Sequence, residues 1–327
     1  MADENNVKKP PREILIKAFE VEYPGYGEMI KQAMEMRALV IVGRVNEQAD
    51  VNGLTSRSWD AFVDEMLGSR LIITCCATAE GGPTLTRSLV DLCLCRQLCS
   101  LALVLNNVKV SDKEGRAVLK RLRSKGGEGY WHLVRGMHMA SCEMGREALA
   151  ELQELLMART CSLESLDVSH TGVDAYPLVQ VLRANASLTS LDVRHVPKMA
   201  DLYGAMAELL LLPDGKSKVG YMRCDAFELL EAEPLLSLRE MPLSEEAMPG
   251  GIELLAGLLA HNTTLKELDL TASDVDKAGA SALAKALALN TSLGTLRLPF
   301  NPALDDEAKA ALRSAAEKRT APLTLEL

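Results

Sequence analysis

Residues 261–301 read HNTTLKELDLTASDVDKAGASALAKALALNTSLGTLRLPFN, one complete unit and the start of the next. Leu265, Leu268 and Leu270 return as Leu293, Leu296 and Leu298, a shift of 28 residues. Each leucine triplet follows an Asn-Thr-(Thr/Ser) run, Asn262-Thr263-Thr264 and then Asn290-Thr291-Ser292. Between the triplets lie Gly279-Ala280 and an Ala/Leu run at helical spacing. Alternating leucines put one face of a short strand in a core, and the Ala/Leu run supplies one face of a helix. A fixed period in the twenties therefore predicts one strand and one helix per unit, stacked as a solenoid.

The pattern extends in both directions. Asn301 completes Leu293, Leu296, Leu298, Asn301, and Leu98, Leu101, Leu103, Asn106 match it without a mismatch. The pattern resembles that of leucine-rich repeats, which implies an Asn inside the turn that leaves the strand, its amide bonding backbone groups of adjacent turns. Leu163-Leu166-Val168 and Leu188-Leu191-Val193 follow the same spacing, the second after Asn185-Ala186-Ser187. Residues 131–139 read as a degenerate strand with Val134 at the second-leucine position, and Gly115-Arg116 and Gly145-Arg146 open helices. Leu236-Ser237-Leu238 resumes the series, and a helix over 305–318 precedes a last strand over 323–327. Upstream, 38–42 and 71–74 read as strands and 56–67 and 84–95 as helices.

Residues 1–37 carry no repeat and are expected to form an N-terminal helical cap, because the first unit of an array otherwise exposes its apolar edge. The expected organisation is that cap followed by 38–327, an array of roughly ten strand–helix units. The register fails over 196–235. There a helix over 200–212 stops at Pro213-Asp214-Gly215, 218–222 reads as a strand, and 225–233 (DAFELLEAE) reads as a short helix. This stretch is either a shortened repeat or an insertion.

The chain has 327 residues, a net charge of −9 and 48% hydrophobic content. No apolar run reaches the roughly 18 residues of a membrane span, and MADENNVKKPPREI lacks the apolar core of a secretory signal. A soluble cytoplasmic protein is expected, with neither nucleic acid nor a membrane as partner. The basic cluster Lys120, Arg121, Arg123, Lys125 reads as a solvated helix face. The eight cysteines include Cys93-x-Cys95-x-x-x-Cys99, which is not a zinc spacing, and reduced, mostly buried thiols are expected.

No GxSxG, HExxH or supported carboxylate pair occurs, so neither catalysis nor a cofactor is expected. Gly126-Gly127-Glu128-Gly129 lacks the Lys-Ser/Thr of a phosphate loop. The Asn-x-Ser/Thr runs at Asn185, Asn262 and Asn290 read as helix ends, where Asn tolerates a left-handed C-cap. His170 and His195 share a register, and His138 joins them if its strand aligns without a slip.

The residues expected to face outward from the sheet lie between the core positions of each strand. They are Ala102 and Val104, Arg135 and Met137, Asp167 and Ser169, Asp192 and Arg194, Ser237 and Arg239, Asp269 and Thr271, and Arg297 and Pro299. This face runs from apolar to mixed charge. All but Ala102, Val104 and Pro299 are the candidate contacts, with Arg and Met as anchors for a protein partner. The strand over 323–327 offers a possible second docking edge.

The sequence from Gly279 to Leu298 resembles the ribonuclease-inhibitor subtype of leucine-rich repeat, found also in the C-terminal arrays of NOD-like receptors and in Ran GTPase-activating proteins and tropomodulins. The resemblance covers 236–327 best, 98–195 less well, and the remainder weakly. It implies an α/β horseshoe with parallel strands on the concave face and helices on the convex face. It implies a non-enzymatic scaffold or assembly subunit that binds a protein on the concave sheet. A GTPase-activating regulator and a cytoplasmic innate-type sensor array are the alternatives. No nucleotide-binding domain of the NOD-like kind is expected, because no GxxxxGK(S/T) run occurs.

Overall fold

The structure, a computed structural model, describes residues 31, 38–43, 70–76, 100–106, 109–110, 116, 119–120, 134–158, 161–244 and 246–327. The expected cap over 1–37 lies outside them apart from residue 31, as do the helices expected over 56–67 and 84–95. Cys93, Cys95, Cys99, the loop at 126–129 and most of the basic cluster also lie outside them. The chain divides into two compact units, Met1–Glu151 and Leu152–Leu327.

In the first unit, β1 (Ala38–Gly43), β2 (Arg70–Cys76), β3 (Ser100–Asn106) and β5 (Val134–His138) pair in that order, all parallel. A small parallel pair joins β4 (Lys109–Val110) to β6 (Glu143–Met144). The β3–β5 ladder slips: Leu101 faces Val134, but Ala102 faces Gly136. Arg135 is thus the extra residue of a bulge, and every later side chain of β5 changes face. Met137 consequently lies opposite Leu103, at a core position, and is fully buried. This corrects the expectation that Met137 stands on the outward face. His138 lies opposite Val104, one place short of the position that His170 and His195 hold in their repeats.

Helix α1 (Arg146–Leu156) straddles the boundary between the units and buries Ala148, Leu152, Leu155 and Leu156. The second unit then alternates β7 (Ser165–Asp167), α2 (Ala175–Ala184), β8 (Ser190–Asp192), α3 (Tyr203–Leu211) and β9 (Tyr221–Arg223). After β10 (Glu228–Leu229) and β11 (Leu235–Ser237) come α4 (Gly251–His261), β12 (Glu267–Asp269), α5 (Lys277–Leu289), β13 (Thr295–Arg297), α6 (Asp306–Glu317) and β14 (Thr324–Glu326). The strands form one run β7-β8-β9-β10 and another β11-β12-β13-β14. All neighbours are parallel except β10, which is antiparallel to β9. No described helix is long and apolar enough to cross a membrane.

The leucine pattern sets the register. Leu166, Leu191 and Met222 lie opposite one another, as do Leu236, Leu268, Leu296 and Leu325. Helices are started by Asp276 and Asp305, whose carboxylates accept from the N–H of Gly279 and Ala308. They end at Asn185, Asn262 and Asn290, all in extended rather than left-handed conformation. This replaces the left-handed C-cap expected at these asparagines. Each Oδ1 accepts from N–H groups two and three residues ahead. Each Nδ2 donates to a carbonyl of the neighbouring repeat: Leu163, Gly220, and Leu259 with Asn262. Asn is used because one flat amide closes its own turn and pins the next.

The left-handed residues lie elsewhere. His170, His195, Glu240, Ala272 and Phe300, each two residues past the last core residue of its strand, have φ between 54° and 60°. The shared register of the two histidines is therefore a backbone position, and their rings stack with centroids 4.1 Å apart.

The irregular stretch keeps the strand–helix alternation through α3 and β9 and departs from it at β10. Residues 225–233 form no helix: the Cys224 N–H donates to the Phe227 carbonyl in a tight turn, and β10 returns along β9. Phe227 and Leu229 are buried and Glu228 is exposed, the period of a strand. No helix intervenes between β9 and β11, so α4 follows both. Helix α4 is buried almost all round, Gly257 closing on Leu210 and Ala207 of α3. A groove of about 1090 Å³ lies along it, lined by Ala207 and Leu211 of α3 and Ala282 and Leu289 of α5.

Tyr203 and Cys224 are buried here, and burial is the main cause that raises both groups above their ordinary ionisation ranges. Between the unfolded and folded thiol values the unfolded chain binds fewer protons, so stability falls as pH rises. Full stability is expected below the ordinary thiol range, about 8.5, and a decline above it. Urea midpoints from pH 7 to pH 10 check this, with Cys224→Ala flattening the first part of the decline.

Candidate protein-interaction face

The strands of the second unit turn one face to the core and the other to solvent. On the outward face, the last residue of each three-residue strand is charged or polar: Asp167, Asp192, Arg223, Ser237, Asp269, Arg297 and Glu326. Three of these aspartates have a structural task. Asp167 accepts from the N–H and hydroxyl of Ser169, at 2.9 and 2.7 Å. Asp269 accepts likewise from the Thr271 N–H, at 2.9 Å, and from its hydroxyl. Asp192 accepts from the Arg194 N–H, at 3.2 Å. Each carboxylate caps the peptide two residues on, which its strand's exit turn leaves without a ladder partner. Ser169 and Thr271 are buried by this arrangement, so of the two only the aspartates present polar atoms outward.

Two ion-pair groups stand out on the same face. Arg194 Nη2 lies 2.7 Å from Asp192 and its Nη1 2.9 Å from Glu228. Arg223 lies 3.5 Å from Glu228 and 3.9 Å from Asp192. The Asp192 hydrogen bond, with Coulombic help from Glu228 and Asp167, holds the Arg194 guanidinium more firmly protonated than usual. In the second group Arg297 pairs with Glu267 and, at 3.2 Å, with Glu326. Partly exposed pairs of this kind contribute only about 0–1 kcal/mol each to stability. They do fix the arginine forks in place, which lowers the entropy lost when a partner carboxylate or aromatic ring meets them.

The expected contacts therefore divide. Asp167, Asp192, Arg194, Asp269 and Arg297 share the outward face of the second unit, with Asp192 buried there, and Ser237 at the end of β11 and Arg239 two residues beyond it are exposed. Arg135, partly exposed at the bulge, belongs to the first unit. The side chains of Ala102 and Val104 lie outside the described residues. Arg223, Glu228, Glu267 and Glu326 escaped the sequence reading. Glu326 was readable, since it holds in Leu325-Glu326-Leu327 the place of Asp269 and Arg297. Arg223 was not, because Tyr221-Met222-Arg223 carries no leucine. Among the described residues no group of three or more His, Cys, Asp and Glu is arranged to hold a metal.

A family profile described as "Leucine Rich repeat" matches residues 261–284. The pig (Sus scrofa) ribonuclease inhibitor is 28% identical over 197 residues, covering 55% of this chain and 42% of that protein. These matches support a leucine-rich-repeat protein of the ribonuclease-inhibitor type. The chain is also similar to "Capping protein, Arp2/3 and myosin-I linker protein 3". The rat (Rattus norvegicus) protein is 28% identical over 208 residues, 62% of this chain and 14% of the relative. The human (Homo sapiens) protein gives the same identity over the same share. The chain thus spans less than half the length of these curated relatives. The likeness supports a protein-interaction module.

Proposed function

We propose that this chain is a non-enzymatic scaffold or assembly subunit that holds a protein partner on the outward face of its strands. In this reading the repeats stack as a horseshoe solenoid and that face is concave. The observation that carries the proposal is the pair of pre-ordered arginine groups, Arg194 with Arg223 and Arg297, on strands held by side-chain caps. Arg is favoured where a few residues supply most of the binding energy. The names of two relatives, a linker protein and an inhibitor of an enzyme, point to the same class of task. The GTPase-activator and sensor readings rest on the repeat subtype alone. Cytoplasmic placement and a second docking edge at 323–327 belong to this proposal as well.

The test is affinity purification from the native source with wild-type chain and with Arg194→Ala plus Arg297→Ala. Both side chains are partly exposed, so the variant is expected to melt close to wild type. Loss of the principal partner by about tenfold or more is expected, the effect of truncating one arginine anchor. Equal recovery of every partner by the folded variant would refute the face.

A further inference from the structure

The strand layer is broken in the middle of the second unit. β10 ends one run of strands and β11 begins the next, and among the described residues no ladder joins them. The two runs start from a shared point: the Asn262 amide donates to the Gly220 carbonyl, and the hydroxyls of Tyr221 and Thr263 lie 2.9 Å apart. Beyond that point β9 takes β10 as neighbour and β12 takes β11.

β11 has the surroundings of a terminal strand. Its residues run exposed, intermediate, exposed, as do those of β14 at the other edge of its sheet. The two strands between them, β12 and β13, run intermediate, buried, intermediate. Leu268 and Leu296 are 0% exposed, whereas Leu236, in the same register, is left partly open, and Leu235 beside it is 50% exposed. One face of the core at this point lacks a cover.

The backbone carries the same message. The N–H groups of Leu238 and Glu240 donate to Asp269 and Thr271, and the Pro234 carbonyl accepts from Lys266 and Glu267. Even-numbered residues therefore spend their peptide groups on β12. By strand alternation the N–H and C=O groups of Leu235, Ser237 and Arg239 point away from it, with no backbone partner among the described residues. Such a row is a template for an added strand. Glu231 and Glu233, just before β11, are exposed and make no ion pair among the described residues.

We propose that the edge of β11 is a strand-addition site, filled by an extended segment of a protein partner in which apolar residues alternate with Lys or Arg. Its backbone would take up the peptide groups of Leu235, Ser237 and Arg239. Its apolar side chains would cover Leu236, and its basic ones would meet the exposed Glu231 and Glu233. The site deepens the protein-binding reading and rests on it, but uses none of the arginine pairs proposed for the face.

The test titrates the full chain with a fluorescein-labelled heptapeptide of alternating valine and lysine, reading anisotropy. Saturable binding is expected. About tenfold weakening or more is expected for Ser237→Pro, which removes an edge-facing donor and leaves the β12 ladder intact. A copy of the peptide N-methylated at alternate residues should lose affinity by a similar factor. Glu231→Lys with Glu233→Lys should reverse the preference toward a valine–glutamate peptide. Arg194→Ala with Arg297→Ala should leave the titration unchanged, which separates this site from the face. Absence of saturable binding to wild type, or unchanged binding to Ser237→Pro with a wild-type melting curve, would overturn the proposal. If Ser237→Pro melts early, amide exchange of Leu235, Ser237 and Arg239 in the wild-type chain decides. Slowing on addition of the peptide supports the site, and unchanged rates overturn it.

Discussion

Asn301→Ala lowers the stability of the second unit by about 4 kcal/mol, read as a fall in the urea midpoint of helical circular dichroism. The side chain is 5% exposed and is saturated on both ends. Oδ1 accepts from the N–H groups of Ser273 and Val275, at 3.0 and 2.9 Å. Nδ2 donates to the Leu270 and Leu298 carbonyls, both at 2.8 Å. Alanine leaves these buried backbone groups without partners, at about 1–3 kcal/mol each before relaxation. Asn301→Asp keeps the acceptor but aims a second oxygen at two carbonyls, so it should fare no better. An effect under about 1 kcal/mol for Asn301→Ala would show that water replaces the amide. Because the bonds join neighbouring turns, the loss should appear as early unfolding of the last repeats.

Gly250→Ala carries the second large effect, about 3 kcal/mol, with the strain of a left-handed alanine and a steric clash adding. Gly250 precedes α4 with φ of 70°, and an added Cβ would stand 2.8 Å from the Gly204 Cα and 3.1 Å from the Tyr203 carbonyl carbon. The contact is with backbone, which has no rotamer to give. The α3–α4 packing that floors the groove would have to open. Gly204→Ala is the control: an added Cβ there meets nothing within 4 Å. That variant should be neutral or slightly stabilising, since alanine favours a helix. Thermal melts of the two variants, side by side, check the pair.

The strands and helices were legible wherever leucine spacing carried them. Leu268 and Leu296 announced β12 and β13, and the Asn301 role followed from its place in the turn. Three things were hidden, each for a physical reason. The bulge at Arg135 is a matter of pairing register, and a one-residue slip leaves no mark in a single strand's composition. The β9–β10 turn was hidden because DAFELLEAE satisfies helical spacing as well as the strand period it adopts. The outward aspartates looked like free contacts, whereas Asp-x-Ser and Asp-x-Thr are also the signature of a side-chain cap on the peptide two residues on. The proposed contact surface is thereby smaller than the sequence suggested and is concentrated in arginines.

The most direct check of the interaction reading is amide hydrogen exchange of the chain with and without the partner that co-purifies with it. Slowed exchange is expected over 165–169, 190–194, 221–223 and 295–297, with helices α2, α5 and α6 unchanged. Protection confined to those helices, with the strands exchanging as in the free chain, would contradict it.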